Sequence, residues 1–382
     1  MICIKHPQMS DFRQLVPEHI RSLGEYRPGK SLRQAERESG VSCIKMASNE
    51  NPFGPSPKAV EAMRAAVAEC NFYPDNDAGE LRHKLAERNH LSPEQVLVTA
   101  GSTALLGILC RTLLRPGLNA ITSQRSFIVY PIATKAAGGR LIEVPMRDDG
   151  FDLDAIAAAI NADTRIIFLA NPNNPTGTLF DVAVLDQFLS KVPDHVTVIV
   201  DEAYYDFAQH FATLRGVHYS RVLDYVREGR KLVVLRTFSK THGLAGVRVG
   251  YGFGPAELLG YLGRLRTTFS ISVPAQAGAM AALEDEAHVQ MVLKNNVEGA
   301  EFLTAGISEL GYRVIPTWAN FVYCELGEDA ATVAKRLQAE GVIIRPLGPW
   351  GAPTAIRVTI GTPEQNCRFL AAFRKVMERT TA

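Results

Sequence analysis

Residues 232–254 read LVVLRTFSKTHGLAGVRVGYGFG, and the reading of this stretch decides the fold. It opens on an apolar run, LVVL, with the length and composition of a buried strand. The character changes at Thr237-Phe238-Ser239-Lys240, and Gly243 and Gly246 follow. A lysine just past a buried strand, followed by glycine-rich backbone, stands where open α/β sheets gather their ligands. Its neighbours in the chain are apolar or hydroxylic, with no carboxylate close in sequence to hold an ammonium group. Desolvated in this way, Lys240 loses part of its preference for charge and becomes an amine nucleophile able to form a Schiff base. Arg248 follows the glycine turn and can reach an anionic group beside that amine. The plainer alternative is a solvated loop lysine with an arginine on a strand edge, and the rest of the chain has to separate the two.

Outward from this stretch, strand and helix patterns alternate. Strand-like runs fall at 95–100, 119–122, 140–144, 165–169, 196–200 and 232–235, with helical stretches at 104–114, 154–160 and 182–191 between them. Such alternation predicts an α/β fold, a mainly parallel sheet covered by helices on both faces. Helical patterning dominates from 255 to about 310, and a smaller α+β unit closes the chain. Its strands are expected near 313–315, 320–325, 342–345 and 356–360, with helices at 331–340 and 363–379. The expected organisation is an N-terminal arm (1–50) partly joining the small domain, a large domain (51–285) and a small C-terminal domain (286–382).

Composition removes several classes of function. Lys and Arg total 41 against 40 Asp and Glu, which leaves no net field to attract nucleic acid or an anionic membrane. The strongest apolar runs are strand-length, well short of the roughly 20 residues of a bilayer span. The opening MICIKHPQMSDFRQ lacks the apolar core of a secretion signal. Six cysteines are scattered without a C-x-x-C pair, which argues against a disulfide framework or a zinc site. The expectation is a cytoplasmic protein. Residues 24–31, GEYRPGKS, satisfy every fixed position of the P-loop pattern. That loop needs a buried strand before it, and LVPEHIRSL supplies a proline and charges instead, so the match reads as accidental.

Four polar sites fall in order at strand ends. Gly101-Ser102-Thr103 lies between a strand and a helix, placing backbone N–H groups and two hydroxyls at a positive dipole end suited to a phosphate. Residues 171–177, NPNNPTG, form a proline-stiffened loop that presents asparagine amides. Asp201 follows the apolar run TVIV, a costly place for a carboxylate unless it meets a cation or a proton. The fourth site is Ser239-Lys240. An amine to make an imine, an acid to keep a ring nitrogen protonated, donors for a phenolic oxygen and a phosphate cradle are the requirements of pyridoxal 5'-phosphate.

At these residues the chain resembles the fold-type I aminotransferases of class I/II, over nearly its full length. The resemblance is carried by 49–52 (NENP) with 54–57 (GPSP), 73–75 (YPD), 171–177, 201–204 (DEAY), Ser239-Lys240 with 243–250, and 357–362 (RVTIGT). The NENP element points within that family to its histidinol-phosphate branch. The resemblance implies that Lys240 holds the cofactor covalently and moves the substrate proton. It implies that Asp201 pairs with the ring nitrogen and that Tyr204 and Asn174 bond the phenolic oxygen. Gly101, Ser102, Thr103, Ser239 and Arg248 would form the phosphate site, with Tyr73 reaching it from a second subunit, and Phe127 would stack on the ring. A homodimer with shared sites is therefore expected, taking an amino donor and glutamate or 2-oxoglutarate. Arg357 would clamp a carboxylate through its planar fork. Arg345 would join it so that one pocket accepts either a phosphate ester or a second carboxylate, assisted by Tyr26 and Asn49. The chain carries Glu25 where the family often has proline, and FSIS at 269–272 where it often has asparagine. An aromatic amino-acid aminotransferase is therefore the alternative.

Overall fold

The computed structural model describes residues 12–24 and 32–378. The P-loop-like residues 25–31 and Tyr26 lie outside them. After a short strand β1 (Ile44–Lys45), seven strands form the larger sheet: β2 (Val96–Thr99), β3 (Asn119–Ser123), β4 (Arg140–Val144), β5 (Thr164–Ala170), β6 (Thr197–Asp201), β7 (Leu232–Thr237) and β8 (Gly250–Phe253). Their spatial order is β2-β8-β7-β6-β5-β3-β4. β8 runs antiparallel to both neighbours, and every other pairing is parallel. This is the mainly parallel α/β sheet that the alternation predicts.

Side chains alternate across the sheet, and each face finds its own cover. Val198, Val200 and Val234 enter one apolar cluster while Ile199, Val233 and Leu235 enter another on the opposite face. A strand buried on both faces reads as a continuous apolar run, which is why these segments stood out. Because β2, β5, β6 and β7 run the same way, their C-terminal ends at Thr99, Ala170, Asp201 and Thr237 open on one edge of the sheet.

β8 was not anticipated as a strand, because Gly250 and Gly252 give it the look of a loop. The glycines answer to close approach. A Cβ added at Gly250 would sit 2.3 Å from the Ser102 backbone nitrogen, and one at Gly252 would sit 2.5 Å from Leu105 Cδ2. The helix Ser102–Leu113 lies that close to the sheet, and its first turn is thereby fixed at the edge where the strands end.

The remaining strands are β9 (Arg313–Ile315), β10 (Phe321–Glu325), β11 (Val342–Ile343), β12 (Arg345–Pro346) and β13 (Ala355–Thr359). Four of them form an antiparallel sheet in the order β12-β13-β10-β9. The run 342–345, expected as a single strand, divides between two sheets at Ile344: β11 pairs in parallel with β1, and β12 pairs with β13. The Met46 N–H donates to the Ile343 carbonyl and the Thr359 N–H donates to the Met46 carbonyl, both at 2.8 Å. Residues just after β1 are therefore anchored to the C-terminal sheet while they run beneath the edge of the larger one.

The helical region after 255 comprises Ala256–Arg264, Val273–Ala282 and Glu286–Ser308. Ser272 and Asp285 cap the second and third with side-chain oxygens that accept backbone N–H groups. Among the described residues no helix is long and apolar enough to cross a membrane. Cys43, Cys70, Cys110, Cys324 and Cys367 are unpaired.

Candidate active site

The strand ends open into a cavity of about 370 Å³ whose wall includes Lys240, Asp201, Tyr204, Asn174, Arg345 and Arg357. Lys240 rises from the loop after β7. Its Nζ donates to the Asn49 carbonyl at 3.1 Å and the Ser48 carbonyl at 3.4 Å. These acceptors belong to the segment that β1 anchors, so both sheets contribute to the seat of the amine. Burial lowers the Lys240 pKa to about 8, and the Arg357 guanidinium pushes the same way, against the opposing pull of Glu50 and Asp201.

That displacement has a sign that can be checked. Only the neutral amine adds to an aldehyde. Adduct formation between apoenzyme and pyridoxal phosphate should accelerate about tenfold per pH unit below pH 8 and level off above it. Stopped-flow absorbance across that range measures it, and an ordinary lysine would keep accelerating to roughly pH 10.

Asp201 ends β6 and is 5 % exposed. Its Oδ1 accepts the Ala203 N–H at 3.1 Å and its Oδ2 accepts the Tyr130 hydroxyl at 3.0 Å. Burial raises its pKa to about 6, with these two donors working in the opposite direction. Tyr204 lies beside it, and Asn49 Nδ2 donates to the Tyr204 hydroxyl oxygen at 2.8 Å. Asn49 is 1 % exposed and is further held by Thr359 and Asn320. Phe127 is part of the cavity wall, edge-on to Tyr130.

The loop 171–177 divides its labour. Asn174 alone of its asparagines faces the cavity, where its Oδ1 accepts from Arg357 Nη1. Asn171 turns back to bond Phe180, and Asn173 bonds Ser126, Thr176 and the Arg125 carbonyl. The expectation that the loop presents its asparagine amides at the sheet edge holds for Asn174, while the other two hold the loop in place. Glu202 is likewise turned away. Successive residues of an extended chain face opposite ways, so Glu202 meets Arg236 behind the sheet edge at 2.8 Å and 3.0 Å, with Ser220 donating at 2.6 Å.

Ser102, Thr103, Ser239 and Arg248 share one end of the cavity. Arg248 Nη1 lies 3.5 Å from Ser239 Oγ and donates to the Ala245 carbonyl at 2.9 Å. Gly101 is not in the wall. It has φ +87, and an added Cβ would strike Arg248 Nη2 at 2.6 Å, so glycine is what lets the guanidinium reach this place. Two hydroxyls at a helix N-terminus, a third hydroxyl and a guanidinium make a cradle that a phosphate monoester fits. With a buried amine of lowered pKa and a buried carboxylate in the same cavity, the residues present fit pyridoxal phosphate.

Arg357, also in the wall, is 4 % exposed and its Nη2 donates to the Ala47 carbonyl at 2.8 Å. Arg345 and Arg357 are direct cross-strand partners on β12 and β13. Trp350 lies against both, with ring centroid distances of 5.3 Å and 6.0 Å. Arg345 Nε is buried without a hydrogen-bond partner. Tyr73 is not in this cavity; it is 82 % exposed and stacked on Phe269 at 4.7 Å. Sequence reading missed Trp350 and Tyr130, whose partners are distant in the chain, and the local Lys45–Glu50 ion pair. The one available signal was Tyr130's place a helical turn after Phe127.

The family model for aminotransferase class I and II matches residues 41–373. A histidinol-phosphate aminotransferase 2 of Pseudomonas fluorescens (strain Pf0-1) is 44% identical over 97% of this chain and 99% of its own. A histidinol-phosphate aminotransferase of Akkermansia muciniphila is 41% identical over 94% of this chain and 98% of its own. The crystal structure of histidinol-phosphate aminotransferase from Sinorhizobium meliloti in complex with pyridoxal-5'-phosphate superposes with a TM-score of 0.87 at 26% identity, covering 98% of this chain and 100% of that one. With a lysine past β7, a buried aspartate at the end of the neighbouring β6 and a family match over residues 41–373, the chain belongs to the class I and II aminotransferases.

Proposed function

We propose that the chain exchanges an amino group between histidinol phosphate and 2-oxoglutarate, using pyridoxal 5'-phosphate held at Lys240. The observation that carries the substrate reading is the Arg345–Arg357 pair. Like charges directly opposite on neighbouring strands repel, and here both guanidiniums border a cavity. An anion between them turns that repulsion into binding. Histidinol phosphate brings a phosphate ester and no carboxylate, whereas glutamate brings two carboxylates. Two arginines near one amine accept either. The named relatives support the same choice.

Pyridoxal phosphate, when bound, supplies an aldehyde for the amine and a cationic ring that withdraws electrons from the substrate Cα. The protein supplies the rest. Ser102, Thr103, Ser239 and Arg248 bind the phosphate, Asp201 holds the ring nitrogen's proton, and Tyr204 and Asn174 orient the phenolic oxygen. Phe127 packs on the ring face. Lys240 Nζ, neutral over a useful share of time near its lowered pKa, would take the proton from the substrate Cα and deliver it to the cofactor's C4′, the transfer that makes the exchange of the amino group net. Arg357 and Arg345 orient the substrate's anionic groups, with Asn49 closing the wall. The working unit in this reading is a homodimer, in which the exposed Tyr73 of the partner subunit completes the phosphate site.

A steady-state panel of histidinol phosphate, phenylalanine and tyrosine with 2-oxoglutarate tests the substrate. Histidinol phosphate should lead in kcat/KM. Preference for the aromatic acids by more than about tenfold, roughly 1.4 kcal/mol in transition-state binding, overturns the assignment in favour of an aromatic aminotransferase. Arg345→Ala should raise KM for histidinol phosphate and glutamate by about tenfold to a hundredfold, the scale of one lost hydrogen bond to a charged group. Phenylalanine, with a single carboxylate, should respond least.

A further inference from the structure

We propose that Tyr130 is a positioning residue for the reaction, its hydroxyl holding the Asp201 carboxylate in place and in its ionised form. The inference rests on the cofactor reading above and names a residue that reading does not use. Tyr130 is fully buried, in the helix Val129–Ala136. Its ring stacks on Phe168 of β5 with centroids 4.7 Å apart and planes 5° from parallel, and meets Phe127 edge-on at 5.6 Å. A phenylalanine would satisfy all of that packing. The hydroxyl is the part that packing leaves unexplained, and it donates to Asp201 Oδ2 at 3.0 Å.

Both oxygens of Asp201 are thereby gripped, Oδ1 by its own loop through the Ala203 N–H and Oδ2 by a side chain from a separate element. Two directed donors fix the plane of a carboxylate that one donor would leave free to rotate. They also favour its charged form against burial, which pulls toward the neutral acid. The other charged groups acting on Asp201 are Glu202 from its own loop, which opposes ionisation, and Lys240 from the loop after β7, which favours it. Glu202 is engaged by Arg236 behind the strand. Tyr204 adds a buried phenol whose pKa is raised, mainly by burial, and so stays neutral. Tyr130 itself stays a donor, since burial and the Asp201 charge drive its pKa well above the ordinary tyrosine range. The same ring therefore braces Phe127 and orients Asp201, two groups assigned to the same cofactor ring.

Tyr130→Phe tests this, because it keeps the stack and deletes the donor. In apoenzyme with ¹³C-labelled aspartate, the Asp201 carboxyl, assigned through Asp201→Asn, should titrate about one pH unit higher than in wild type, the worth of one hydrogen bond to a charged group. In holoenzyme carrying ¹⁵N-labelled pyridoxal phosphate, the ring nitrogen resonance should move toward its neutral-pyridine value. Turnover should fall about tenfold in kcat with KM nearly constant. Unmoved ¹³C and ¹⁵N resonances in a variant that melts like wild type overturn the proposal. Should Tyr130→Phe be too unstable to titrate, the substitution made in an Asp201→Asn background decides the matter. Loss of the hydroxyl there should cost nothing further in kcat, and a further tenfold loss overturns the proposal because Tyr130 would then act independently of Asp201. A chain that takes up no pyridoxal phosphate counts against the cofactor reading instead, and the apoenzyme titration still reads Tyr130.

Discussion

Lys240→Ala is expected to abolish turnover, by about 10⁴-fold or more, while the fold survives. Two losses combine. The variant has no amine to hold the cofactor covalently, and no base at the substrate Cα, a role worth roughly 10² to 10⁴ alone. The fold should tolerate the change because, among the described residues, the amine donates two hydrogen bonds, to the carbonyls of Ser48 and Asn49, and otherwise lies over the Tyr204 ring at 5.5 Å, all at the wall of a cavity. Those carbonyls can bond water in its place. The checks are kcat under saturating substrate, the disappearance of the near-visible band in cofactor-supplemented protein, and failure of borohydride to fix the cofactor to the chain. Measurable turnover within about a hundredfold of wild type would remove Lys240 from its assigned role.

Asp201→Ala should lose about 10³-fold in kcat, the scale seen when a preorganised charge-stabilising group is removed, while keeping some affinity for the cofactor. The phosphate cradle at Ser102, Thr103, Ser239 and Arg248 does not depend on it. What is lost is the charge that keeps the ring nitrogen protonated, and with it the electron sink. A structural cost accompanies the kinetic one. The Tyr130 hydroxyl and the Ala203 N–H lose their acceptor inside the protein, and leaving a buried donor unpaired costs about 1–3 kcal/mol. Thermal denaturation of the apoenzyme reads that cost separately from kcat. Near-normal activity in this variant would contradict the role given to Asp201.

Legibility in the sequence followed a physical division. Strands buried on both faces announce themselves as unbroken apolar runs, so β5, β6 and β7 could be found, and the polar residues clustered at their ends were a fair guess at the site. Lys240 and Asp201 needed nothing more. Contacts between elements distant in the chain left no such trace. The seat of Lys240 at Asn49, the grip of Tyr130 on Asp201 and the cover of Trp350 over two arginines each arise from folding separate segments together. β8 was hidden because glycines required by a close helix also erase the strand signature. The inward or outward aim of Asp201 and Glu202 was available from strand alternation, and DEAY is better read as Asp201 and Tyr204 for the site and Glu202 for the scaffold.

The antiparallel return of β8 has a consequence for how the chain can vary. Lys240 and Arg248 stand on the two limbs of one hairpin whose roots, Thr237 and Gly250, are paired in the central sheet. Between them the Phe238 N–H reaches the Val249 carbonyl, and the Leu244 N–H reaches back to the Phe238 carbonyl. The span from amine to guanidinium is thus set like the jaws of a locked caliper. Adding or deleting one residue there would put one jaw out of gauge.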